Sequence, residues 1–217
     1  ITICEIIVQK HLVGPGKSIR RMIEANMLSS MILYGPPGSG KTSIASAIAG
    51  TTKFAFRTFN ATTDSKKRLQ EIAEEANFSG GLVLMLDEIH RLDKTKQDFL
   101  LPLLENGKIS MFGATTENPF FSVTPAIRSR VQIFELEPLS NDNIKTAIQR
   151  AISDKERGFD FEVSLDEEAV DFIATATNGD LRSALNSLDL AVMSTQADDQ
   201  GLRHITLDTV ENSLQRS

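Results

Sequence analysis

The amino-acid sequence predicts an α/β fold, in which a parallel five-stranded sheet is sandwiched by helices and followed by a small all-helical domain. Short apolar runs alternate with helix-forming segments, and a glycine-rich loop joins the first run to the first helix. After Pro138 the sequence carries helix start signals and no convincing strand. We therefore expect a first domain over residues 1–137 and a helical domain over residues 138–217.

Apolar runs mark the strands of the first domain. Met31–Tyr34 reads as a short buried strand, and Leu82–Leu86 is the unbroken run expected of a strand buried on both faces. The other predicted strands are Phe54–Asn60, with Phe59 buried, Lys108–Ala114 and Val131–Leu136. The helices between strands are predicted at Thr42–Ala49, at Ser65–Asn77 with Asp64 as N-cap, and at Lys94–Glu105.

Helical signals organise the segment after Pro138. Ser164 and Glu167 have the spacing of a capping box, Asp180 is a predicted N-cap, and Ile205–Leu214 reads as a further helix. The apolar residues at helical spacing are Leu165, Ala169, Phe172, Ile173, Leu181, Leu185, Leu188 and Val192. We assign this stripe to the domain core, since a small helical domain needs its apolar face to fold; the alternative is a partner-binding stripe.

Composition limits the classes of protein. The 217 residues are 41% hydrophobic, which supports a sizeable core. The formal net charge of -6 differs from the basic charge expected of a dedicated DNA-binding monomer. Any DNA contact must be local, and the basic cluster Lys66–Arg68 is either a solvated helix face or such a contact. Cys4 is the single cysteine, so no disulfide framework and no structural metal are expected.

The sequence shows no signal peptide and no apolar run of about 18 residues. We therefore expect a cytoplasmic protein without a membrane partner. Because the sequence begins at Ile1 rather than at a methionine, we expect a trimmed chain.

A complete phosphate-binding loop lies between the first predicted strand and the first helix. Its residues are Gly35, Pro36, Pro37, Gly38, Ser39, Gly40, Lys41 and Thr42. The glycines let backbone N–H groups face a β-phosphate at a helix N-terminus. Lys41 would reach the β- and γ-phosphates, and the Thr42 hydroxyl would bind Mg²⁺. The loop predicts nucleotide binding; the alternative is an ordinary glycine turn.

Two acidic residues follow the central apolar strand. Ligands in open α/β sheets bind beyond the carboxyl ends of the strands, where Asp87 and Glu88 lie. Asp87 would hold Mg²⁺ through water, and Glu88 would polarise the water that attacks the γ-phosphate. A switch can do without the second acid, so Glu88 indicates hydrolysis; the alternative is a helix-capping acidic pair.

The loop, the acidic pair and the helical second domain together resemble the AAA+ ATPases, and three further segments resemble the clamp-loader clade. Gly113–Pro119 looks like a sensor 1 segment, which implies Thr116 as the residue that holds the attacking water or the γ-phosphate. Thr115 and Asn118 are the alternatives.

Two arginines are implied by the other segments. Pro125–Val131 is similar to the Ser-Arg segment of clamp loaders, which implies Arg130 as an arginine finger for the neighbouring subunit's site. The alternatives are Arg128 as the finger, or a surface pair that bonds nearby carboxylates. Gly179–Leu185 is similar to the sensor 2 helix and implies that Arg182 contacts the γ-phosphate of its own subunit.

Within this clade the chain resembles the RarA (MgsA) family, the bacterial replication-associated recombination ATPases related to eukaryotic Werner-helicase-interacting proteins. The segments that carry the resemblance are His11–Gly14, Ser29–Gly38, Asp87–Arg91 and Gly113–Phe120. Val8 departs from the family's Gly-Gln pattern, which leaves adenine contacts from Ile6–Leu12 open.

The resemblance implies ATP and Mg²⁺ as cofactors and ATP hydrolysis coupled to remodelling or marking DNA at stalled or gapped replication forks. It implies single-stranded, gapped or forked DNA and single-strand DNA-binding protein as partners. It further implies a homo-oligomer formed through a C-terminal region beyond Ser217, and a nucleoid-associated location in the cytoplasm.

Two other functions remain open. A RuvB-like Holliday-junction motor also carries Gly-Ala-Thr-Thr at sensor 1, but such chains continue into a winged-helix domain. An ATP-gated scaffold would recruit replication proteins, although Glu88 and Arg130 favour an enzyme. His90 is expected to have a structural or surface role rather than a catalytic one. Asn60 either restrains Glu88 through a hydrogen bond or caps the end of its strand.

Overall fold

The computed structural model describes residues 17–24, 29–50, 52, 54–154 and 158–214. The predictions for Ile6–Leu12, His11–Gly14 and Cys4 lie outside the described residues. The described residues fall into two compact units. One comprises the residues up to Pro36 together with Gly40–Glu137, and the other comprises Pro37–Ser39 together with the residues from Pro138 onward.

Five parallel strands form the sheet of the first unit, in the spatial order β2-β3-β4-β1-β5. The strands are β1 (Met31–Tyr34), β2 (Ala55–Asn60), β3 (Leu82–Asp87), β4 (Ile109–Thr115) and β5 (Gln132–Glu135). Leu33 of β1 lies opposite Ala114 of β4 and Phe134 of β5, so the carboxyl ends of neighbouring strands reach the same edge. The predicted fold class, an α/β fold with a parallel five-stranded sheet, is confirmed.

Helices precede and connect these strands. They are α1 (Ser18–Glu24), α2 (Lys41–Gly50), α3 (Lys66–Ser79), α4 (Lys94–Glu105), α5 (Pro119–Ser122) and α6 (Pro125–Arg128), with a 3₁₀ turn at Ile89–Arg91 after β3. The predicted helix at Lys94–Glu105 has the observed bounds. Helix α3 begins later than predicted, because the Ser65 side chain caps it by accepting from the backbone N–H of Arg68. Asp64 instead accepts from the backbone N–H of Asn60 at 2.8 Å.

The core of the first unit is divided between the two faces of the sheet. Along β3 the side chains alternate, so that Leu82, Leu84 and Leu86 pack on one face and Val83 and Met85 on the other. Helices α3 and α4 cover the first face, and α2 covers the second. A strand enclosed in this way needs apolar residues at every position, which explains its uninterrupted apolar run.

The second unit is mostly helical. Its helices are α7 (Asn141–Ser153), α8 (Glu167–Ala176), α9 (Leu181–Met193) and α10 (Leu207–Leu214). In the predicted stripe, Ala169, Ile173, Leu188 and Val192 are buried in this unit. Asp180 caps α9 by accepting from the backbone N–H of Ser183 at 3.1 Å, as predicted.

The expectation of an entirely helical second domain requires a correction. Two short parallel strands, β6 (Val163–Leu165) and β7 (Arg203–Ile205), pair within this unit. Three residues are too few to show an alternating pattern, and the Ser164 spacing resembled a capping box. The structure instead places Ser164 in β6 and makes Asp166 the N-cap position of α8.

Within the described ranges, every helix is too short or too polar to cross a membrane.

Candidate functional site

The glycine-rich loop leaves the carboxyl end of β1 and leads directly into α2. Lys41 is the first residue of α2, and its Nζ donates to the carbonyl oxygens of Gly35 and Pro36, both at 2.8 Å. The ammonium group therefore lies over the start of the loop, held by backbone oxygens. Thr42 follows in the first turn of the same helix, where backbone N–H groups have no helical partner.

The base of the loop is fixed by close backbone contacts. The Gly35 N–H donates to the carbonyl oxygen of Thr115, the last residue of β4, at 3.1 Å. A Cβ at position 35 would lie 2.6 Å from the carbonyl oxygen of Leu136, so only glycine fits there. Gly40 has a φ of 101°, a left-handed conformation that side-chain-bearing residues rarely adopt. Glycine at these two positions is thus a requirement of the loop's shape.

Tyr34 precedes the loop at the end of β1. Partial burial raises the pKa of its hydroxyl, and the neighbouring Glu135 carboxylate raises that pKa further. The hydroxyl therefore stays uncharged at neutral pH. It adds no negative charge beside a loop that is suited to binding phosphate.

The tip of the loop, Pro37–Ser39, groups with the second unit. There the Gly38 carbonyl oxygen accepts from the backbone N–H of Leu181, the first residue of α9, at 3.2 Å. Ser39 is fully buried. Arg182 is exposed in the first turn of α9.

The two predicted acids lie where β3 ends. Asp87 is the last residue of β3, and its Oδ1 accepts from the backbone N–H of Glu88 at 3.0 Å. Glu88 has φ 57° and ψ 41°, a left-handed conformation that costs a non-glycine residue about 1–2 kcal/mol. The chain turns sharply there, from the strand into the 3₁₀ turn. Such strain persists where surrounding contacts hold the residue in place.

His90 connects Glu88 to the neighbouring strand. Its Nε2 lies 3.1 Å from Glu88 Oε2, and its Nδ1 lies 2.8 Å from Thr115 Oγ1. The backbone N–H of Glu117 donates to the same Thr115 hydroxyl at 3.0 Å. The His90 side chain is only 5% exposed, so the ring is held between the carboxyl ends of β3 and β4.

The candidate sensor 1 residues differ in their surroundings. Thr116 is exposed directly after β4, whereas Thr115 is buried. Asn118 caps α5, with its Oδ1 accepting from the backbone N–H of Phe120 at 3.0 Å. Of the three, only Thr116 presents an exposed hydroxyl, and it follows a buried strand end.

Asn60 occupies the end of β2. Its Oδ1 accepts from the backbone N–H groups of Thr62 at 2.8 Å and Thr63 at 3.3 Å. This is the geometry of a strand-end cap, the second of the two predicted roles for Asn60.

The two candidate finger arginines are held differently. Arg130 is 53% exposed at its side chain, and its NH2 lies 3.5 Å from Glu105 Oε1. Arg128 is half-buried, with its guanidinium carbon 5.3 Å from the centre of the Phe120 ring. Its buried Nε has no hydrogen-bond partner among the described residues. Arg130 can leave its exposed ion pair at little cost, whereas the half-buried Arg128 would have to leave its contact with the Phe120 ring.

A buried amide supports the segment that precedes these arginines. Gln97 of α4 is 3% exposed, and its Nε2 donates to the carbonyl oxygens of Leu92 at 2.9 Å and Ser122 at 3.4 Å. Its Oε1 accepts from the backbone N–H of Thr124 at 2.8 Å. One side chain thus joins the end of the 3₁₀ turn to the connection between α5 and α6.

The donor set near the loop suits a hard cation. The described residues include no group of three or more His, Cys, Asp or Glu side chains arranged to hold a metal. Mg²⁺ does not require such a group, since it commonly binds one or two carboxylates together with substrate phosphates. The Asp87 carboxylate and the Thr42 hydroxyl supply oxygens of the preferred kind.

Comparison with known proteins identifies the family. A family model described as the ATPase family associated with various cellular activities (AAA) matches residues 31–139, which include the loop, the acids and both arginine candidates. The chain belongs to the AAA ATPase family. A second model, described as an AAA C-terminal domain, matches residues 159–217 of this AAA ATPase.

Relatives of this AAA ATPase include two bacterial proteins named replication-associated recombination protein A. The Bacillus subtilis protein is 57% identical over 98% of the chain and 51% of its own length. The Escherichia coli K12 protein is 39% identical over 93% of the chain and 46% of its own length. The predicted resemblance to the RarA family is confirmed. The AAA ATPase chain spans about half the length of these relatives.

Solved structures support the fold. A RuvB structure from Thermotoga maritima matches this AAA ATPase with a TM-score of 0.76, covering 99% of the chain and 71% of RuvB, at 24% identity. At 24% identity, this structural similarity is evidence for the fold alone.

Two contacts of this AAA ATPase's site carry little signal in the sequence. His90 was expected to be structural, and its two-sided contact depends on a strand distant along the chain. Gln97 reads as an ordinary polar helix residue, and only its burial distinguishes it. The one hint in the sequence is that two apolar residues, Leu100 and Leu101, follow Gln97 one turn later on the same side of the helix.

Proposed function

We propose that this chain binds Mg²⁺–ATP and hydrolyses it at the carboxyl edge of its sheet. The observation that carries the proposal is the placement of Lys41 after β1 and of Asp87 and Glu88 at the end of β3, in a member of an ATPase family. Parallel α/β sheets bind their ligands at this edge.

Lys41 is the central phosphate-binding group of the proposal. Its ammonium donates to two backbone oxygens of the loop, and phosphate oxygens are stronger acceptors because they are charged. On nucleotide binding, Lys41 turns from these carbonyls to the β- and γ-phosphates. The backbone N–H groups of the loop, Gly35–Thr42, face the phosphates at the N-terminus of α2.

Asp87 and Thr42 are the proposed Mg²⁺ ligands, Asp87 through water. Bound Mg²⁺ neutralises negative charge on the β- and γ-oxygens during transfer. Glu88 orients and polarises the attacking water as a general base. Thr116 holds that water or the γ-phosphate, and Arg182 is the candidate sensor 2 contact to the same phosphate.

Separate variants test binding and chemistry. We expect Lys41→Ala to lose ATP binding, because the cation that faces the phosphates is removed.

We expect Glu88→Gln to bind ATP as the wild type does and to lose turnover by at least about a hundredfold, since general bases contribute on that scale. Binding is measured by titration with a fluorescent ATP analogue, and turnover by phosphate release. Wild-type turnover in Glu88→Gln would remove Glu88 from the mechanism.

We further propose that the ATPase acts on DNA at stalled or gapped replication forks. The support is the name of its relatives, replication-associated recombination protein A, at identities of 39% and 57%. Single-stranded, gapped or forked DNA and single-strand DNA-binding protein are the proposed partners, within a homo-oligomer. A location at the nucleoid in the cytoplasm follows from such substrates.

The DNA contact must be local, since the chain carries a formal net charge of -6. Gapped or forked duplexes should raise ATP turnover above the DNA-free rate. If the ATP turnover rate without DNA equals the rate with each of these DNA structures, DNA does not activate the ATPase. The proposal of ATP hydrolysis would still stand.

A further inference from the structure

Glu88, His90 and Thr115 form a continuous hydrogen-bonded series, which we name the Glu88–His90–Thr115 link. It runs from Glu88 Oε2 to His90 Nε2 at 3.1 Å, and from His90 Nδ1 to Thr115 Oγ1 at 2.8 Å. The link crosses from the end of β3 to the end of β4. Its middle member is nearly buried, at 5% exposure, so water competes little for its ring nitrogens.

The direction of each hydrogen bond follows from the groups involved. An ionised carboxylate can only accept, so His90 Nε2 carries a hydrogen and donates to Glu88. In the neutral ring Nδ1 is then an acceptor, and the Thr115 hydroxyl donates to it at 2.8 Å in preference to the Glu117 carbonyl oxygen, its second acceptor at 3.3 Å. The Thr115 oxygen accepts in turn from the backbone N–H of Glu117 at 3.0 Å. Every group of the link is satisfied by one neutral tautomer.

Thr115 anchors the link to the most constrained part of the site. This residue is 2% exposed, and its carbonyl oxygen accepts from the Gly35 N–H at the base of the phosphate-binding loop. Strand β4 is paired on both sides, with β3 and β1. The far end of the link is therefore a fixed point, whereas Glu88 at the near end is 41% exposed.

We propose that His90 is a positioning residue for Glu88, an inference that rests on the proposed role of Glu88 in ATP hydrolysis. His90 holds Oε2 of the carboxylate and leaves Oε1 to accept from the attacking water. A glutamate on its own samples several rotamers, and a misplacement of about 1 Å at a reacting group lowers rates about a hundredfold. The link removes that freedom before the nucleotide arrives.

The test compares three substitutions in the whole chain. His90→Phe keeps a ring of similar size and removes both hydrogen bonds, so kcat for ATP should fall about tenfold to a hundredfold with KM and ATP affinity unchanged. His90→Gln keeps a donor near the Nε2 position, so it should regain part of that loss. The control is His204→Phe, since exposed His204 makes a comparable pair with Asp166 Oδ1 at 2.9 Å in the second unit. It should turn over ATP at the wild-type rate.

A second readout does not depend on turnover. Long-range ¹H–¹⁵N spectra of the imidazole should show His90 protonated at Nε2, and Glu88→Gln should shift that resonance while leaving His204 unchanged. His90→Phe with the wild-type kcat, or with ATP affinity reduced in parallel, would overturn the positioning role.

The proposed function can fail separately from the link. If wild-type turnover is no faster than that of Glu88→Gln, the proposal of ATP hydrolysis at this site is wrong. The spectra then test whether His90 contacts Glu88. A His90 resonance that responds to Glu88→Gln then supports the contact. A resonance indifferent to Glu88→Gln overturns it.

Discussion

At the scale of single residues, some charged side chains of the site are fixed by their contacts, and others make only weak contacts and can move. Glu88 keeps a strained left-handed backbone and a hydrogen bond to His90, whereas Arg130 has a solvent-exposed ion pair. Exposed ion pairs contribute about 0–1 kcal/mol, so Glu105 is a weak competitor for the Arg130 guanidinium. This favours Arg130 over Arg128 for the proposed contact with a neighbouring subunit.

We expect Arg130→Ala to lose most ATP turnover while ATP binding to single subunits survives. A guanidinium stabilises charge on the transferring phosphoryl group, and removing such a finger costs about a thousandfold or more in kcat. Arg128→Ala is the matched comparison and should be less harmful to turnover. Turnover and fluorescent-nucleotide binding are measured on the same preparations.

The trans action of Arg130 has its own test. Mixing Arg130→Ala with Lys41→Ala protein should restore turnover, because a mixed interface pairs an intact loop with an intact arginine. Sedimentation at the same concentrations must show that the two variants assemble. If the mixed variants assemble but recover no ATP turnover, Arg130 does not act in the neighbouring subunit's site.

Residue patterns predicted the loop and the acidic pair well, because these motifs are local in the sequence. Lys41 begins α2 directly after the loop, and Asp87 and Glu88 lie where β3 ends, as their runs predicted. The His90 contacts could not be predicted in this way. They join residues 25 positions apart and depend on the order of strands in the sheet.

At the scale of elements, segments with a clear local signal were easier to predict than segments without one. Strand β1 and helix α4 have the predicted bounds, since a buried apolar run and a capped helix both leave clear signals. The three-residue strands β6 and β7 left none. These strands are stabilised by pairing with each other. Because the two segments are far apart in the sequence, their pairing leaves no local pattern.

Gln97 shows how elements are joined by one buried polar side chain. We expect Gln97→Met to lower the free energy of unfolding by about 1–3 kcal/mol, because the Thr124 N–H and the Leu92 carbonyl lose their buried partner. Urea denaturation measures the change. The control is Gln149→Met at an exposed position of α7, which should stay within about 0.5 kcal/mol of the wild type. Equal effects at both positions would contradict a special role for Gln97.

At the scale of the whole molecule, the chain combines an AAA nucleotide-binding unit with a mostly helical unit that also matches an AAA family model. It spans about half the length of its bacterial relatives. The net charge of -6 means that any DNA-dependent activity relies on local contacts, which salt should weaken.

The most direct measurement is steady-state ATP turnover by the chain and by Glu88→Gln, without DNA and with single-stranded, gapped or forked DNA, at two salt concentrations. The account predicts turnover that gapped or forked DNA raises, that higher salt brings back toward the DNA-free rate, and that Glu88→Gln abolishes under every condition. ATP turnover that persists in Glu88→Gln would contradict it.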